Sequence, residues 1–314
     1  MNEKRYSKSV NAGRNVEMRG AQWQMGRRQE FIESCLFWEG RINRGDLVEK
    51  FGISIPQATD DIARYMKRAP GNIDYEPKER AYVIQPGYEP VVIQPEADRY
   101  LMQLRAVKSG LTRERDIYLN AIPSFDVVPV PHRSVNTATL RSLLRAIRER
   151  WVLAITYQSM NSAKPAEREI SPHSIAFDGF RWHTRAYCHK DNVFKDFVIA
   201  RIIKIGKHRR GGIRSDGDRA WNEILTAVLI PNPRLTPTQQ TIIALDYAMQ
   251  RSKLHVEIRA SFVYYFERLV GRLVLLRDRG KEAANQIEIR NLEELKDIAD
   301  ALAEPLTGRP TGYV

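Results

Sequence analysis

The chain has 314 residues, 43% of them hydrophobic, which is enough for two or three folded cores and too much for one small domain. Its two cysteines, Cys35 and Cys188, are far apart and lack C-x-x-C spacing, which excludes a disulfide framework and a zinc knuckle and fits a reducing cytoplasm. The net charge of +12 is concentrated: residues 131–220 carry 18 Lys and Arg against 8 Asp and Glu, whereas 1–90 carry 15 against 13, 91–130 carry 5 against 5 and 221–314 carry 12 against 12, so one region in particular faces an anion.

Residues 1–20 are polar and mixed in charge, without the apolar stretch of a signal peptide, and read as a disordered tail. No apolar run approaches the roughly 18 residues a membrane span needs, so no membrane partner is expected. Residues 21–90 then read as a winged helix-turn-helix. Trp23, Phe31, Ile32, Cys35, Leu36 and Trp38 recur near helical spacing, giving a first helix with an aromatic inner face closed by Gly40. "RGDLVEKFGIS" gives a short helix ending at Gly52, and Ile55, Ala58, Ile62, Tyr65 and Met66 form the next apolar stripe. Helix, tight glycine turn, helix is the DNA-binding pattern, and "NIDYEPKERAYVIQPGY" supplies two strands around a charged tip.

The second helix of such a unit enters the major groove, so its outward residues matter most. Here those are Ser54, Gln57, Thr59 and Arg64, with Gln suited to adenine and Arg to guanine or phosphate, while Lys67, Lys78 and Arg80 are placed to meet phosphates. Asp60 and Asp61 would repel the backbone. The near-neutral charge of this unit predicts weak binding by one copy, hence a homodimer on a palindromic double-stranded DNA operator. The alternative is a helical bundle used only for protein contacts.

Residues 91–135 read as a helical linker, with one helical stretch followed by the proline-punctuated "IPSFDVVPVPH". "TATLRSLLRAIRERW" is a helix with Leu140, Leu143, Leu144 and Ile147 inward. The strands "VLAITYQS", "AEREISPHSIAFD", "FRWHTRAYC" and "DFVIARIIKIG" follow, suggesting a small bent antiparallel barrel over 136–212. Residues 221–314 alternate strand and helix as a C-terminal α+β extension, which supplies dimer contacts; the whole is a multidomain α+β chain.

In the barrel, strand alternation puts Arg181, His183 and Arg185 on one face and Ser171 and His173 on one face. Arg201, among the apolar residues of "FVIARIIKI", is costly unless paired or reserved for an anion. Arg201, Arg185 and His173, with Ser171 as hydroxyl donor, Tyr157 as a stacking ring and Arg181 framing the edge, make a phosphate site with a base platform. Against this, Arg201 could pair with Asp196 or Glu169, and His173 could be a structural histidine. Trp182 is expected in the core and His183 on the surface.

The order of winged helix, bent barrel with "REISPHSIAFDGFRWHTRAYC" and "FVIARI", and α+β extension resembles the WYL-domain transcriptional regulators, in particular the BrxR/CapW type that represses bacterial anti-phage defence operons. The namesake Trp-Tyr-Leu falls on Trp182-His183-Thr184, keeping only the Trp. The resemblance implies an Sm-like β-barrel, the WYL domain, that senses a nucleotide or nucleic-acid ligand and controls the DNA-binding unit.

An enzyme is the rival class, with His173, Ser171 and Asp178 as a nuclease or phosphodiesterase site. Metal-dependent nucleases need clustered carboxylates, and those of 131–220 are scattered; no metal, nucleophile-elbow or P-loop motif occurs, so no catalysis, metal or cofactor is expected. An RNA-binding Sm-like protein without an operator is a further alternative.

Overall fold

A computed structural model describes residues 22–131, 133–271, 275–276 and 284–303; the expected tail of residues 1–20 lies outside them. The chain forms two compact units that divide the sequence between Val130 and Pro131.

In the first unit, helix α1 (22–39) buries Phe31, Ile32, Cys35 and Leu36. The expected aromatic face is narrower than its periodicity suggested, because Trp23 and Trp38 lie at the margin and are exposed. After β1 (Arg41–Ile42), α2 (Arg44–Phe51) starts in a capping box between Asn43 and Asp46 and ends at Gly52, whose φ of 64° few other residues adopt without strain. Helix α3 (Ile55–Arg68) starts at Ser54, whose hydroxyl accepts the Gln57 N–H, and buries Ala58, Ile62 and Tyr65. Ile55, expected inward, is exposed in the first turn. Strands β2 (Ile73–Glu76) and β3 (Ala81–Ile84) form the wing, with β1 on the far side of β3.

The segment expected to be a connector is bonded to this unit. Helix α4 (Ala97–Lys108) gives Leu104 to a small core with Ile117 and Leu119. Ser34 donates to the Tyr118 carbonyl at 2.7 Å, Arg27 Nε to the Tyr118 hydroxyl at 2.7 Å, and the ring of Trp38 lies 4.7 Å from that of Tyr100. What the prolines conceal is a chain that returns to α1 for its hydrogen bonds.

In the second unit, α5 (Thr137–Glu149), capped by Asn136, drives Leu143 and Ala146 against an antiparallel sheet; Leu144, expected inward, is half exposed. The sheet runs β7 (Val193–Val198), β6 (Trp182–Cys188), β5 (Ala166–Phe177), β4 (Trp151–Tyr157), β8 (Ile202–Arg210). The expected fourth strand is two, because the 3₁₀ turn Ile199–Arg201 breaks it and sends β7 and β8 to opposite edges. Among the described residues no ladder joins those edges, so the sheet is not closed into a barrel by backbone hydrogen bonds. Ile155, Ile170, Ala186, Cys188 and Phe197 line the face toward α5.

A second core belongs to the C-terminal part of the same unit. A short helix α6 (Arg219–Asn222) leads into β9 (Ile224–Pro231), which pairs with β10 (Leu254–Arg259) and β13 (Ile287–Ile289); α7 (Pro237–Asp246), α8 (Val263–Val270) and α9 (Leu292–Ala303) pack with this sheet. The strands β11 (Leu275–Leu276) and β12 (Ala284–Asn285) form a separate pair. Among the described residues no helix is long and apolar enough to cross a membrane.

Candidate nucleic-acid interface and anion site

On α3 the geometry separates outward residues from structural ones. Ser54 and Arg64 are exposed, while Gln57 and Thr59 are half-buried. Gln57 reaches Asp61 at 3.3 Å and Thr59 back-bonds to the Ile55 carbonyl at 2.9 Å. Asp61 does not face outward as expected. It is fully buried, pairing with Arg28 Nε at 2.6 Å, and so cannot repel a DNA backbone. The Arg64 guanidinium lies against the Met25 sulfur. Lys67 is exposed in the last turn, and Lys78 and Arg80 are exposed at the wing tip, where Arg80 adopts a φ of 53°. Six of these seven side chains, Thr59 being turned to its own helix, thus offer donors along α3 and the wing.

The second site grows from a bulge in β5. Register shifts between Pro172 and Ser174, so His173 is the extra residue, and its Nδ1 stands 3.0 Å from Ser174 Oγ. Its other nitrogen, Nε2, lies 3.1 Å from Asp218 Oδ2; a carboxylate only accepts, so Nε2 carries the proton. Arg185, opposite Ser174 on β6, meets the same carboxylate with Nε at 2.7 Å and Nη2 at 3.0 Å. Across the ladder on β7, Asp196 lies 3.5 Å from Arg185 Nη1 and accepts the Tyr265 hydroxyl of α8 at 3.1 Å.

The electrostatics follow from this packing. Burial opposes ionisation of Asp218, but the bonds from His173 and Arg185 and the guanidinium charge outweigh it and hold the carboxyl below its usual range. Burial likewise weakens the Arg185 cation, and the charges of Asp196 and Asp218 more than compensate. Burial, then the Asp196 charge, push the Tyr265 phenol well up, so it stays a donor.

A neighbouring cluster closes the β5–β6 turn. Asp178 accepts from the backbone of Phe180 at 2.8 Å and of Arg181 at 2.7 Å, from Arg181 Nε at 2.8 Å and from His183 Nε2 at 2.9 Å. His183, expected on the surface, is therefore buried, and its ring lies 5.2 Å from Tyr265. Gly179 has a φ of 90°, and a Cβ there would come within 3.0 Å of Leu269 of α8. Trp182, expected in the core, is half exposed against Phe177, because it begins the strand beyond the edge of the packed layer.

The other expected ligand residues lie elsewhere on the sheet. Ser171 Oγ is 2.8 Å from His189 Nε2. Tyr157 accepts the Val198 N–H at 3.2 Å and packs edge-on against Phe197. Arg201 ends the 3₁₀ turn, and its carbonyl accepts the Gln158 N–H at 3.1 Å. It pairs with neither Asp196 nor Glu169: the first is met by Arg185 and the second by Arg209. Among the described residues the Arg201 guanidinium has no ion-pair partner. His173, Arg185 and, through Asp178 and His183, Arg181 thus gather on the face toward the C-terminal part, while Tyr157 and Arg201 mark the β7–β8 turn.

Three family models match in chain order: the BrxR transcriptional regulator winged helix-turn-helix domain over residues 24–106, the WYL domain over 138–205, and the BrxR transcriptional regulator C-terminal dimerization domain over 224–295. Curated relatives agree along the chain. A DNA-binding transcriptional repressor CapW of Stenotrophomonas maltophilia is 36% identical over 276 residues, 87% of this chain and 92% of its own. That of Pseudomonas aeruginosa is 37% identical over 284 residues, 89% and 93%, and that of Escherichia coli 36% over 278 residues, 88% and 92%. The chain belongs to the CapW family.

Membership places it among transcriptional regulators and not in an enzyme class, against the nuclease or phosphodiesterase alternative. In CapW-family terms, Asp218 lies between the WYL match and the dimerization match. Sequence reasoning missed Asp218 and Tyr265, and offered Asp196 to Arg201 where the structure gives it to Arg185. Asp218 had one signal, an N-cap aspartate three residues before Trp221, whose N–H it accepts at 3.1 Å.

Proposed function

We propose that the chain is a cytoplasmic DNA-binding transcriptional repressor of a phage-defence operon, acting as a homodimer on a palindromic operator and controlled by a nucleotide or oligonucleotide at its WYL sheet. The observation that carries the DNA reading is α3. It is a capped helix behind a tight glycine turn, with its acidic Asp61 neutralised inside and Arg64 and Lys67 outside. Ser54, Gln57 and Arg64 read bases, Thr59 lines the same helix, and Lys67, Lys78 and Arg80 meet phosphates. The repressor names of the relatives and the dimerization match support the same reading, and exposed Ile242 and Leu245 on α7 offer apolar surface for a second copy. The BrxR/CapW resemblance supports the phage-defence target.

The basic sheet supports the ligand. Arg201 is a guanidinium with no ion-pair partner among the described residues, Tyr157 pairs in the ladder with the next residue, Ile202, and Arg185, Arg181, His173 and Ser171 add donors on the sheet. The test is a binding titration against the genomic fragment the protein enriches. A scrambled palindrome of equal length binds more weakly, and Arg64→Ala lowers operator affinity about tenfold, the worth of one good base or phosphate contact. Equal affinity for native and scrambled sites would sink sequence-specific regulation.

A further inference from the structure

We propose that Asp218 occupies, as a built-in carboxylate, the position of a phosphomonoester on Arg185 and His173, so that a ligand's terminal phosphate binds by expelling Asp218 and freeing the segment that leads into the C-terminal domain. The inference rests on the reading of this face as an anion site. A guanidinium fork with an imidazole N–H beside it is the donor set a phosphate takes, and here all three hydrogen bonds fall on one carboxylate that is 1% exposed.

The two carboxylates on Arg185 differ in how they are held. Asp196 is part of the sheet, directly opposite Arg185 in the ladder, and its ion pair is the longer one at 3.5 Å. Asp218 comes from outside the sheet, on the stretch between β8 and β9 that contains only the 3₁₀ turn Ser215–Gly217 and the four-residue α6. Of the two, Asp218 is therefore the removable partner. Once a phosphate holds Arg185, the same pocket would leave Asp218 buried without its cation, which is costly enough to drive it out. Asp218 caps α6 through the Trp221 N–H, and β9 begins two residues after α6 ends, so its departure reaches the dimerization match at once. Ligand and carboxylate then favour different arrangements, the condition for any shift of population.

The test uses the full chain, with a 5′-phosphorylated thymidine trinucleotide and its unphosphorylated form as probes in calorimetric titration. Asp218→Asn keeps the shape and the cap but removes the charge, and it should bind the phosphorylated probe about tenfold tighter than wild type, equivalent to ~1.4 kcal/mol. Asp218→Glu, which restores the charge, should return to wild-type affinity. In the wild-type chain, saturation with the phosphorylated probe should speed hydrogen exchange at the Trp221 amide, which loses its acceptor. That measurement decides alone if Asp218→Asn fails to fold. Equal affinities together with an unchanged Trp221 amide overturn the displacement and leave the anion site standing. No binding of either probe by any of the proteins overturns the anion reading and the displacement together.

Discussion

Two buried carboxylates, Glu33 in the first unit and Asp218 in the second, are satisfied in opposite ways. In the first unit Glu33 of α1 accepts the backbone N–H groups of Val91, Val92 and Ile93 at 2.7, 2.5 and 2.6 Å, with the Tyr65 hydroxyl at 3.0 Å. In the second unit Asp218 takes most of its bonds from the side chains of Arg185 and His173. A backbone N–H is fixed by the fold and has nowhere else to turn, whereas a guanidinium or imidazole can change acceptor by rotation. The Glu33 arrangement suits a permanent clamp between α1 and the chain after the wing. The Asp218 arrangement suits a contact that a competing anion can exchange.

Removing the carboxylate from the first arrangement and the cation from the second probes that contrast. Glu33→Ala leaves three part-buried N–H groups and the buried Tyr65 hydroxyl without this acceptor and should cost on the order of 4 kcal/mol, read as a lower urea midpoint. Removing the Tyr65 hydroxyl as well should recover little of it, because the other three orphaned donors are main chain and no side-chain deletion removes them. Arg185→Leu strands Asp218 and Asp196 and should cost on the order of 3 kcal/mol, yet adding Asp218→Asn should recover a good part of the loss, since replacing a buried pair is far less costly than breaking it. A double variant no more stable than Arg185→Leu alone would erase the distinction between clamp and exchangeable contact.

Much of the fold was legible because local signals and packing agree. The Leu140 and Leu143 stripe of α5 and the Gly52 end of α2 carry their outcome in a few adjacent residues. Periodicity failed at margins: Ile55, Leu144 and Trp23 fit their stripes but fall where no neighbouring element covers them. The cation row Arg181, His183 and Arg185 was visible in the sequence as a pattern, but its meaning depended on partners the sequence does not keep nearby. Asp218 is 33 residues from Arg185 and Tyr265 is 69 from Asp196, and no local rule joins them. The β5 bulge had one local signal in Pro172, since a proline inside a non-edge strand marks a bulge, but alternation alone passes over the extra residue that turns His173 beside Ser174. Arg201 was misplaced for a related reason: its apolar neighbours read as one strand, whereas the 3₁₀ turn splits them between two edges of the sheet.

The smallest expected effect concerns the β5–β6 turn, which is neither clamp nor exchange site but depends on charge. Burial works against the Asp178 carboxylate, yet the bonds from His183, the Phe180 and Arg181 backbone and the Arg181 side chain bring its pKa down to about 2 from the ordinary 3.8. A folded-state value below the unfolded one means stability that is fully present above about pH 4 and is lost as pH falls through that range toward 2, at most about 2 kcal/mol for a shift of this size. Asp178→Asn keeps the shape but cannot titrate, so its urea midpoint should be lower than wild type at pH 6 and should converge on it by about pH 2. Because Gly179 abuts Leu269 of α8, the same acid range should raise amide exchange at 179–181 in the wild-type chain. Parallel pH profiles for wild type and Asp178→Asn would show that the carboxylate contributes no net charge interaction to the turn, and would leave the glycine's steric fit as its principal support.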